Sequence, residues 1–371
     1  MAGNSKGSAD ERPRALSRAS LLARLAAIGI VIASVVAAFA YVGGWFSPHR
    51  LTPARFIDTF EKVNGIHPGF RRNHAKGVCV TGFFESNGNG VRLSKAVIFR
   101  PGRVRVIGRF ALAGGNPYAP DASGTVRSMA ILFMLPDGEQ WRTGMNNIPV
   151  FIVSTPQAFH DQLIAFQADP ATGKPDPVEV KEFLTLHAES ARAIQVIQSH
   201  PPSSGFVDST YNSLNAFRFI DADGNSTPVR WSMVPVQPFV GAGAAQSASQ
   251  SKNYLFDALI GRINRPSQPP LQWRLIVTIG QPGDPTNDAT IAWPDNRDHV
   301  DAGTLTIDRI ESEETGACRD INYDPLVLPS GIAPSDDPLL SARSAAYSQS
   351  FTRRAGETKE PSAVTPAEIR Q

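Results

Sequence analysis

A succession of short strand-like segments constrains the fold of this chain more than any other feature. Alternating apolar residues, with many β-branched and aromatic ones, mark these segments. Hairpin-type turn signals follow at Asn87–Gly90 and Pro136–Gly138. The predicted strands are Gly77–Phe84, Lys95–Phe99, Arg103–Ile107, Ser128–Leu135, Val150–Val153, Ala216–Ile220, Pro228–Val236, Gln272–Ile279 and Thr304–Ile310. The predicted helices before and between them begin at Pro53 and cover residues 156–167, 177–198 and 251–263. This pattern predicts an α+β fold, a closed antiparallel β-barrel with inserted and appended helices.

A further helix is predicted near the C-terminus. Asp336 or Asp337 is suited to cap it, and Pro338 is suited to its first position. Arg343 and Tyr347 are four residues apart on this helix and therefore share one face. Without other information, such a pair is a minor surface contact.

The N-terminus carries an uncharged apolar run behind a basic segment. Residues 25–46 contain no charged side chain, and about 20 apolar residues suffice to cross a bilayer as a helix. Because basic flanks stay in the cytoplasm, we expect a basic cytoplasmic tail over residues 1–24, a transmembrane helix over residues 25–46 and an extracytoplasmic remainder. The length of the run favours an uncleaved anchor, while Ala38-Phe39-Ala40 makes a cleaved signal sequence the alternative. Residues 355–371 are predicted to form a disordered tail.

Composition narrows the range of partners and sites. The net charge is +2, from 36 Lys and Arg against 34 Asp and Glu, which gives no reason to expect nucleic acid as a partner. Cys79 and Cys318 are the only cysteines; we expect two unpaired thiols, with a long-range disulfide as the alternative. The chain has no glycine-rich phosphate loop, no H-E-x-x-H metal motif and no G-x-S-x-G elbow.

Two residues ahead of predicted strands could take part in chemistry. His74 lies before the first strand, and an imidazole with a pKa near neutrality can serve as a general base. Asn146 lies before the Val150–Val153 segment, and its amide could donate to a bound oxygen species. A lone histidine or asparagine at such a place is more often structural.

Several segments, taken in order, resemble the haem catalase family. They are Arg71–Gly77, Asn146–Phe151, Ile291–Arg297, Gly303–Arg309, Pro329–Ser335 and Arg343–Tyr347. The similarity extends from about residue 66 to residue 354, so residues 47–354 are expected to form a catalase-like haem-binding domain.

The resemblance implies a role for individual residues. Tyr347 would be the axial ligand of the iron of haem b, and Arg343 would keep its phenol ionised. His74 would move a proton from one peroxide oxygen to the other, while Asn146 would hold the peroxide. Phe159 matches a phenylalanine that narrows the distal side, and Phe151 is a nearby candidate for that role. The remaining matches are arginines expected to pair with the haem propionates, namely Arg71, Arg109 and Arg354.

Departures from the family narrow the expected activity. Ala111 stands where catalases have a distal serine, so the hydroxyl and its part in proton relay are expected to be lost. Only a short tail follows Tyr347. Both departures fit the small catalase-related peroxidases, in which an organic electron donor reduces an oxyferryl intermediate formed with hydrogen peroxide or an organic peroxide.

The resemblance implies the partners, and the N-terminal segment implies the compartment. We expect a peroxide substrate, an unidentified small-molecule reductant and no NADPH, in the bacterial periplasm, anchored to the inner membrane or released if the signal is cleaved. The alternatives are a true catalase, a haem-dependent fatty-acid hydroperoxide isomerase and a non-enzymatic haem carrier.

Overall fold

The structure, a computed structural model, describes residues 17–43, 51–123, 126–242, 251–265 and 268–364. It divides into two units, one that ends at Thr52 and one that begins at Pro53. Each unit is described by itself.

The first unit contains helix α1, which runs from Arg18 to Val42. The side chain of Ser17 caps it by accepting a hydrogen bond from the backbone amide of Ser20 at 3.2 Å. Its apolar portion has a mean hydropathy of 2.5, and its 25 residues are long enough to cross a membrane. The helix begins before the predicted span, and residues 1–16 and 44–50 of the predicted tail and span lie outside the described residues.

The second unit is built on a closed antiparallel barrel. Its strands are β1 (Gly77–Ser86), β2 (Gly102–Leu112), β3 (Arg127–Met134), β4 (Gln140–Asn146), β5 (Tyr211–Asn212), β6 (Phe217–Ile220), β7 (Ser226–Pro235), β8 (Leu271–Ile279), β9 (His299–Glu311) and β10 (Ile332–Pro334). Neighbours follow the order β7-β5-β4-β3-β2-β1-β9-β8, and a pairing between β7 and β8 closes the ring of eight. Strands β6 and β10 extend the sheet from β7. The predicted barrel is therefore confirmed.

Side chains alternate between the barrel interior and its outer face, as the period of a strand requires. Along β4, Trp141, Thr143 and Met145 are buried while the residues between them are half-buried. The ring of Trp141 stacks on Phe133 of β3 with centroids 4.8 Å apart. Apolar interior side chains fill the barrel, so chemistry has to be located on its outer face.

The second unit also contains helices. They are α2 (Pro53–Asn64), α3 (Pro156–Ala165), α4 (Pro177–Leu186), α5 (Ala188–Gln198), α6 (Tyr254–Ile263) and α7 (Pro338–Ala355). Phe60 of α2 and Ala346 of α7 belong to one buried cluster, against which Phe159 of α3 packs. The predicted helix over residues 177–198 is two helices, because the chain turns at His187.

Two predicted strands are wrong. Within Lys95–Phe99 the chain forms a short 3₁₀ turn at Val97–Phe99. Residues 150–153 are irregular, and the amide of Phe151 donates to Ala289 instead of a neighbouring strand. Strand β4 was not predicted, and Asn146 is its last residue rather than a residue ahead of a strand.

The tail prediction also fails for the residues that the structure describes. The carboxylate of Glu357 binds Arg72 and accepts a hydrogen bond from the amide of Gly69 at 2.8 Å. Lys359 donates to the carbonyl of Glu313 at 2.8 Å, and Val364 is only 1% exposed. The segment packs because it brings charges that pair with buried partners. Residues 365–371 lie outside the described residues.

The prediction of unpaired thiols is wrong, since Cys79 and Cys318 form a disulfide across 239 residues. Cys79 lies on the outer face of β1, and Cys318 follows β9, which is the strand beside β1. The pairing of β1 with β9 thus brings together two cysteines that are distant in sequence.

Candidate active site

One row of side chains crosses the outer face of the barrel. Ala111 of β2 pairs with Ser128 of β3, which pairs with Asn146 of β4. Residues directly opposite one another project from the same face with Cβ atoms about 5 Å apart. Trp141 and Met145 point the other way, into the core. Ser128 and Asn146 are therefore neighbours on the outer face.

His74 is held against this row by a fixed backbone turn. Its backbone is left-handed, with φ of 53°. The side-chain oxygen of Asn73 accepts hydrogen bonds from the amides of His74 and Gly114, both at 2.9 Å. Nδ1 of His74 then lies 3.1 Å from the hydroxyl oxygen of Ser128. The structure thus brings His74 next to Asn146 through the serine between them.

This contact corrects the prediction drawn from Ala111. That residue has no hydroxyl, but the residue opposite it in the register does. The hydroxyl of Ser128 also lies 3.3 Å from the carbonyl oxygen of Ala111. A hydroxyl therefore reaches the histidine from β3 instead of β2.

The surroundings of His74 keep its imidazole neutral. Burial lowers its pKa to about 3, and the positive charges of Arg109, Arg343 and Arg71 act in the same direction. A hydrogen bond with the backbone of Leu112 acts in the opposite direction. A neutral imidazole can accept a proton from a substrate.

Arg343 and Tyr347 of α7 lie beside β4, the strand that carries Asn146. Asp337 caps α7, and Pro338 is its first residue, as predicted. One turn into the helix, the guanidinium Nη2 of Arg343 lies 3.5 Å from the phenol oxygen of Tyr347 and 3.3 Å from the carbonyl oxygen of Gly144. The α7 pair is thereby fixed against β4.

A series of hydrogen bonds orients Arg343 on the side away from Tyr347. Its Nη1 donates to the side-chain oxygen of Asn215. The amide nitrogen of Asn215 donates in turn to the carboxylate of Asp337 at 2.7 Å. Burial raises the pKa of Asp337, and its hydrogen bond from Asn215 opposes that rise. The N-terminal cap of α7 is therefore linked by hydrogen bonds to the arginine beside Tyr347.

Gly144 leaves space between the two groups of residues. A Cβ atom at this position would lie 3.8 Å from the phenol oxygen of Tyr347. Asn146 is two residues further along the same face of β4, a distance of about 7 Å. The stretch of β4 between Tyr347 and Asn146 therefore carries no side chain at position 144.

A buried cluster of positive charge lies beside the row. Glu313 accepts hydrogen bonds from Arg109 at 2.6 and 2.8 Å and from Arg71 at 2.7 Å. Arg354 donates to the carbonyl of Arg319 at 2.8 Å. Burial lowers the pKa of Arg71 to about 9, with a further contribution from Arg109. Burial also lowers the pKa of Lys359 to about 8.

The charges of this cluster do not balance by themselves. Arg71, Arg109, Arg354 and Lys359 lie around the carboxylate of Glu313, whose pKa is lowered to about 2 mainly by Arg109, against the effect of burial. Buried charge is costly unless it is paired. The two propionates of a haem would offset much of this positive charge, and a phenol beside a guanidinium suits ferric iron. The residues present therefore fit a haem.

Phe151 and Phe159 form part of an aromatic wall. The ring of Phe159 packs edge-to-face against Phe151 at 5.3 Å, Phe56 at 5.5 Å and Phe60 at 6.0 Å. This wall lies where α2, α3 and α7 meet. Their role in narrowing the distal side stays a prediction.

Sequence reasoning missed four residues of the site, namely Ser128, Asn215, Glu313 and Lys359. A correct β3–β4 hairpin, anchored on its Pro136–Gly138 turn, would have placed Ser128 opposite Asn146. The other three reach the site from loops, and no periodic pattern marks them.

Comparisons with known proteins show the family of the chain. The family model named Catalase matches residues 46–364. A catalase-related peroxidase of Synechococcus elongatus is 36% identical over 88% of this chain and 96% of its own length. One of Mycolicibacterium paratuberculosis is 31% identical over 82% of this chain and 96% of its own.

Solved structures agree in fold. A fungal catalase superposes with a TM-score of 0.69 and 18% identity, over 85% of this chain. This chain spans only 64% of that fungal catalase. The outer-face row, the α7 pair and these matches lead to one conclusion: the chain belongs to the catalase family.

Proposed function

We propose that this protein is a haem-dependent peroxidase that reduces hydrogen peroxide or an organic peroxide at the expense of an organic electron donor. One observation carries the proposal. His74 and Asn146 meet through Ser128 on the same face of β4 under which Tyr347 and Arg343 lie. A proton acceptor, an amide donor and a phenol beside a guanidinium thus lie along one strand.

The protein residues would handle the proton and the orientation of the peroxide. The amide of Asn146 donates a hydrogen bond to the bound peroxide. Neutral His74 accepts the proton of the inner peroxide oxygen and returns it to the outer oxygen as the O–O bond breaks. The outer oxygen leaves as water or as an alcohol. Each turnover therefore converts ROOH, two electrons and two protons into ROH and water, with the donor as the source of electrons.

The haem would be held by Tyr347 through its iron and by Arg71, Arg109 and Arg354 through its propionates. When bound, it supplies an iron that exchanges electrons with the peroxide and with the donor. Arg343 supports the ionised phenol by its charge. The chain has two cysteines, and both are in the disulfide. A thioether-linked haem is therefore ruled out by chemistry, which favours haem b.

Donor oxidation and oxygen release, measured side by side, test this function. We expect the purified full-length protein, in detergent and loaded with haem, to oxidise a phenolic donor when peroxide is added and to release little oxygen. Rapid conversion of a fatty-acid hydroperoxide without a donor would show that the protein is an isomerase instead of a peroxidase. A haem-loaded protein that consumes no peroxide under any of these conditions would be a haem carrier.

A true catalase is the second candidate, and Ser128 is the observation that favours it. Ser128 supplies a hydroxyl to His74, so the group that Ala111 lacks is present from β3. Steady oxygen evolution from hydrogen peroxide without any donor would establish this candidate instead.

We further propose that residues 47–354 act in the bacterial periplasm, held to the inner membrane by α1. The length and hydropathy of α1 support this placement. The disulfide adds independent support, because disulfides persist in oxidising compartments. The test is the fraction that holds the full-length protein. Recovery with membranes after a carbonate wash, with Cys79 and Cys318 resistant to alkylation, is expected; recovery as a cytoplasmic protein with reduced thiols would overturn it.

A further inference from the structure

The hydroxyl of Ser128 makes two contacts that together determine the direction of its O–H bond. It lies 3.1 Å from Nδ1 of His74 and 3.3 Å from the carbonyl oxygen of Ala111. Ser128 is only 8% exposed, so these contacts are shielded from bulk water. A hydroxyl has one proton and two lone pairs, whereas a carbonyl can only accept. The hydroxyl therefore donates to Ala111 and accepts from His74.

We propose that Ser128 is a positioning residue, and this proposal rests on the proposed function. Its hydroxyl accepts a hydrogen bond from Nδ1–H of His74, which leaves Nε2 unprotonated toward the peroxide. Ser128 does not touch the substrate. It acts through the ring, by selecting which nitrogen carries the proton and by fixing the ring plane.

The charges around His74 explain why this selection is needed. The guanidiniums of Arg109, Arg343 and Arg71 all disfavour a second proton on the ring, as does its burial. A neutral ring can carry its single proton on either nitrogen, and only the Nδ1–H form presents a base at Nε2. A hydrogen-bond acceptor at Nδ1 shifts the ring to that form. The same serine also limits rotation of the ring away from Asn146.

The strand register allows a hydroxyl at either position 111 or position 128 to contact His74. Ala111 and Ser128 are directly opposite in the β2–β3 ladder, so their Cβ atoms project from the same face about 5 Å apart. A hydroxyl placed on residue 111 can therefore approach the ring that residue 128 now contacts. Ala111→Ser can therefore restore the hydroxyl that is removed by Ser128→Ala.

Cyanide binding tests the proposal without relying on turnover. Hydrogen cyanide must give up its proton to the distal base when it binds ferric haem, so its association rate reports on Nε2. The proteins compared are the wild type, Ser128→Ala, Ser128→Thr and the double variant Ser128→Ala/Ala111→Ser, all full length and loaded with haem. Haem absorption and the thermal midpoint verify that each is folded, and His74→Ala gives the rate without the base.

We expect Ser128→Ala to slow cyanide association about tenfold, since a single hydrogen bond is lost. Ser128→Thr and the double variant should return close to the wild-type rate because each restores a hydroxyl. A wild-type rate in Ser128→Ala would overturn the proposal. So would a rate in both hydroxyl-bearing variants as slow as that of Ser128→Ala, because packing alone would then explain the loss.

The same experiment separates this proposal from the proposed function. A purified protein that binds no haem, or a His74→Ala variant with an unchanged cyanide rate, would remove the peroxidase assignment. A slow His74→Ala variant beside a normal Ser128→Ala variant would remove only the role of Ser128.

Discussion

The guanidinium of Arg343 lies 3.5 Å from the phenol oxygen of Tyr347, one turn away on α7. A phenol has an ordinary pKa near 10, so it needs a nearby cation or a metal to bind as an anion at neutral pH. Arg343 is fixed from the other side by Asn215 and the carbonyl of Gly144. These contacts hold the cation beside the phenol.

Tyr347→Phe is expected to abolish or severely weaken haem binding, because the only proposed iron ligand is removed. The measurement is the haem absorption of the purified variant after loading. Tyr254→Phe is a matched control, since Tyr254 is half-buried on α6 and makes no part of the site. An unchanged haem spectrum in Tyr347→Phe would end the axial assignment.

The open space beside Tyr347 can be closed in steps. Gly144→Ala should be tolerated, because the added Cβ would lie in ordinary contact, 3.6 Å from Arg343 and 3.8 Å from Tyr347. Gly144→Val adds methyl groups toward the phenol oxygen and should lower haem affinity about tenfold or more. Titration of both variants with haem gives the two affinities. Equal affinities would show that haem does not approach β4 at this point.

His74→Ala is expected to keep its haem while losing between about 10²- and 10⁴-fold in the rate of peroxide reduction, the usual contribution of a positioned acid–base group. Stopped-flow absorption after mixing with peroxide measures the rate. His160→Ala, on α3, is the matched control, because His160 pairs with its sequence neighbour Asp161. Rates near the wild-type value in His74→Ala would exclude the histidine from the mechanism.

Glu313 should make stability depend on acid. Its pKa in the folded protein is about 2, against an ordinary value of 4.5, so its contribution is present above pH 4.5 and is lost as the pH falls towards 2. That contribution is on the order of 3 kcal/mol. Glu313→Gln should therefore be less stable than the wild type at pH 7, and the gap should shrink as the pH falls below 4.5.

Urea unfolding at several pH values measures that gap. The lowered pKa of His74 also removes stability in acid, between about pH 6.5 and 3, but it does so in both proteins. The difference between them isolates Glu313. A gap that stays constant from pH 7 to pH 2 would show that Glu313 is not ionised in the folded protein.

Sequence patterns were sufficient for the barrel, while the roles of the residues carried by motifs stay a prediction. His74, Asn146, Arg343 and Tyr347 are distant in sequence and lie near one face of β4. Their approach depends on a closed antiparallel barrel followed by a helix, and both were predicted from periodicity and capping residues.

The missed elements depend on contacts that periodicity does not record. Strand β4 has a glycine and an arginine between its buried residues, which weakens its strand signal and hides the register that places Ser128. Glu313 lies on a loop, where its burial follows from the arginines that surround it rather than from its neighbours in sequence. Nor could spacing alone reveal a pairing across 239 residues.

The disulfide shortens the covalent path between the two sides of the site. His74 lies five residues before Cys79, and Tyr347 lies 29 residues after Cys318. Both functional residues are thus outside the loop that the bridge closes. A protease that cuts once anywhere between residues 80 and 317 would leave His74 and Tyr347 joined by covalent bonds. A single cut in a surface loop of this range would thus leave the two halves of the chain held together.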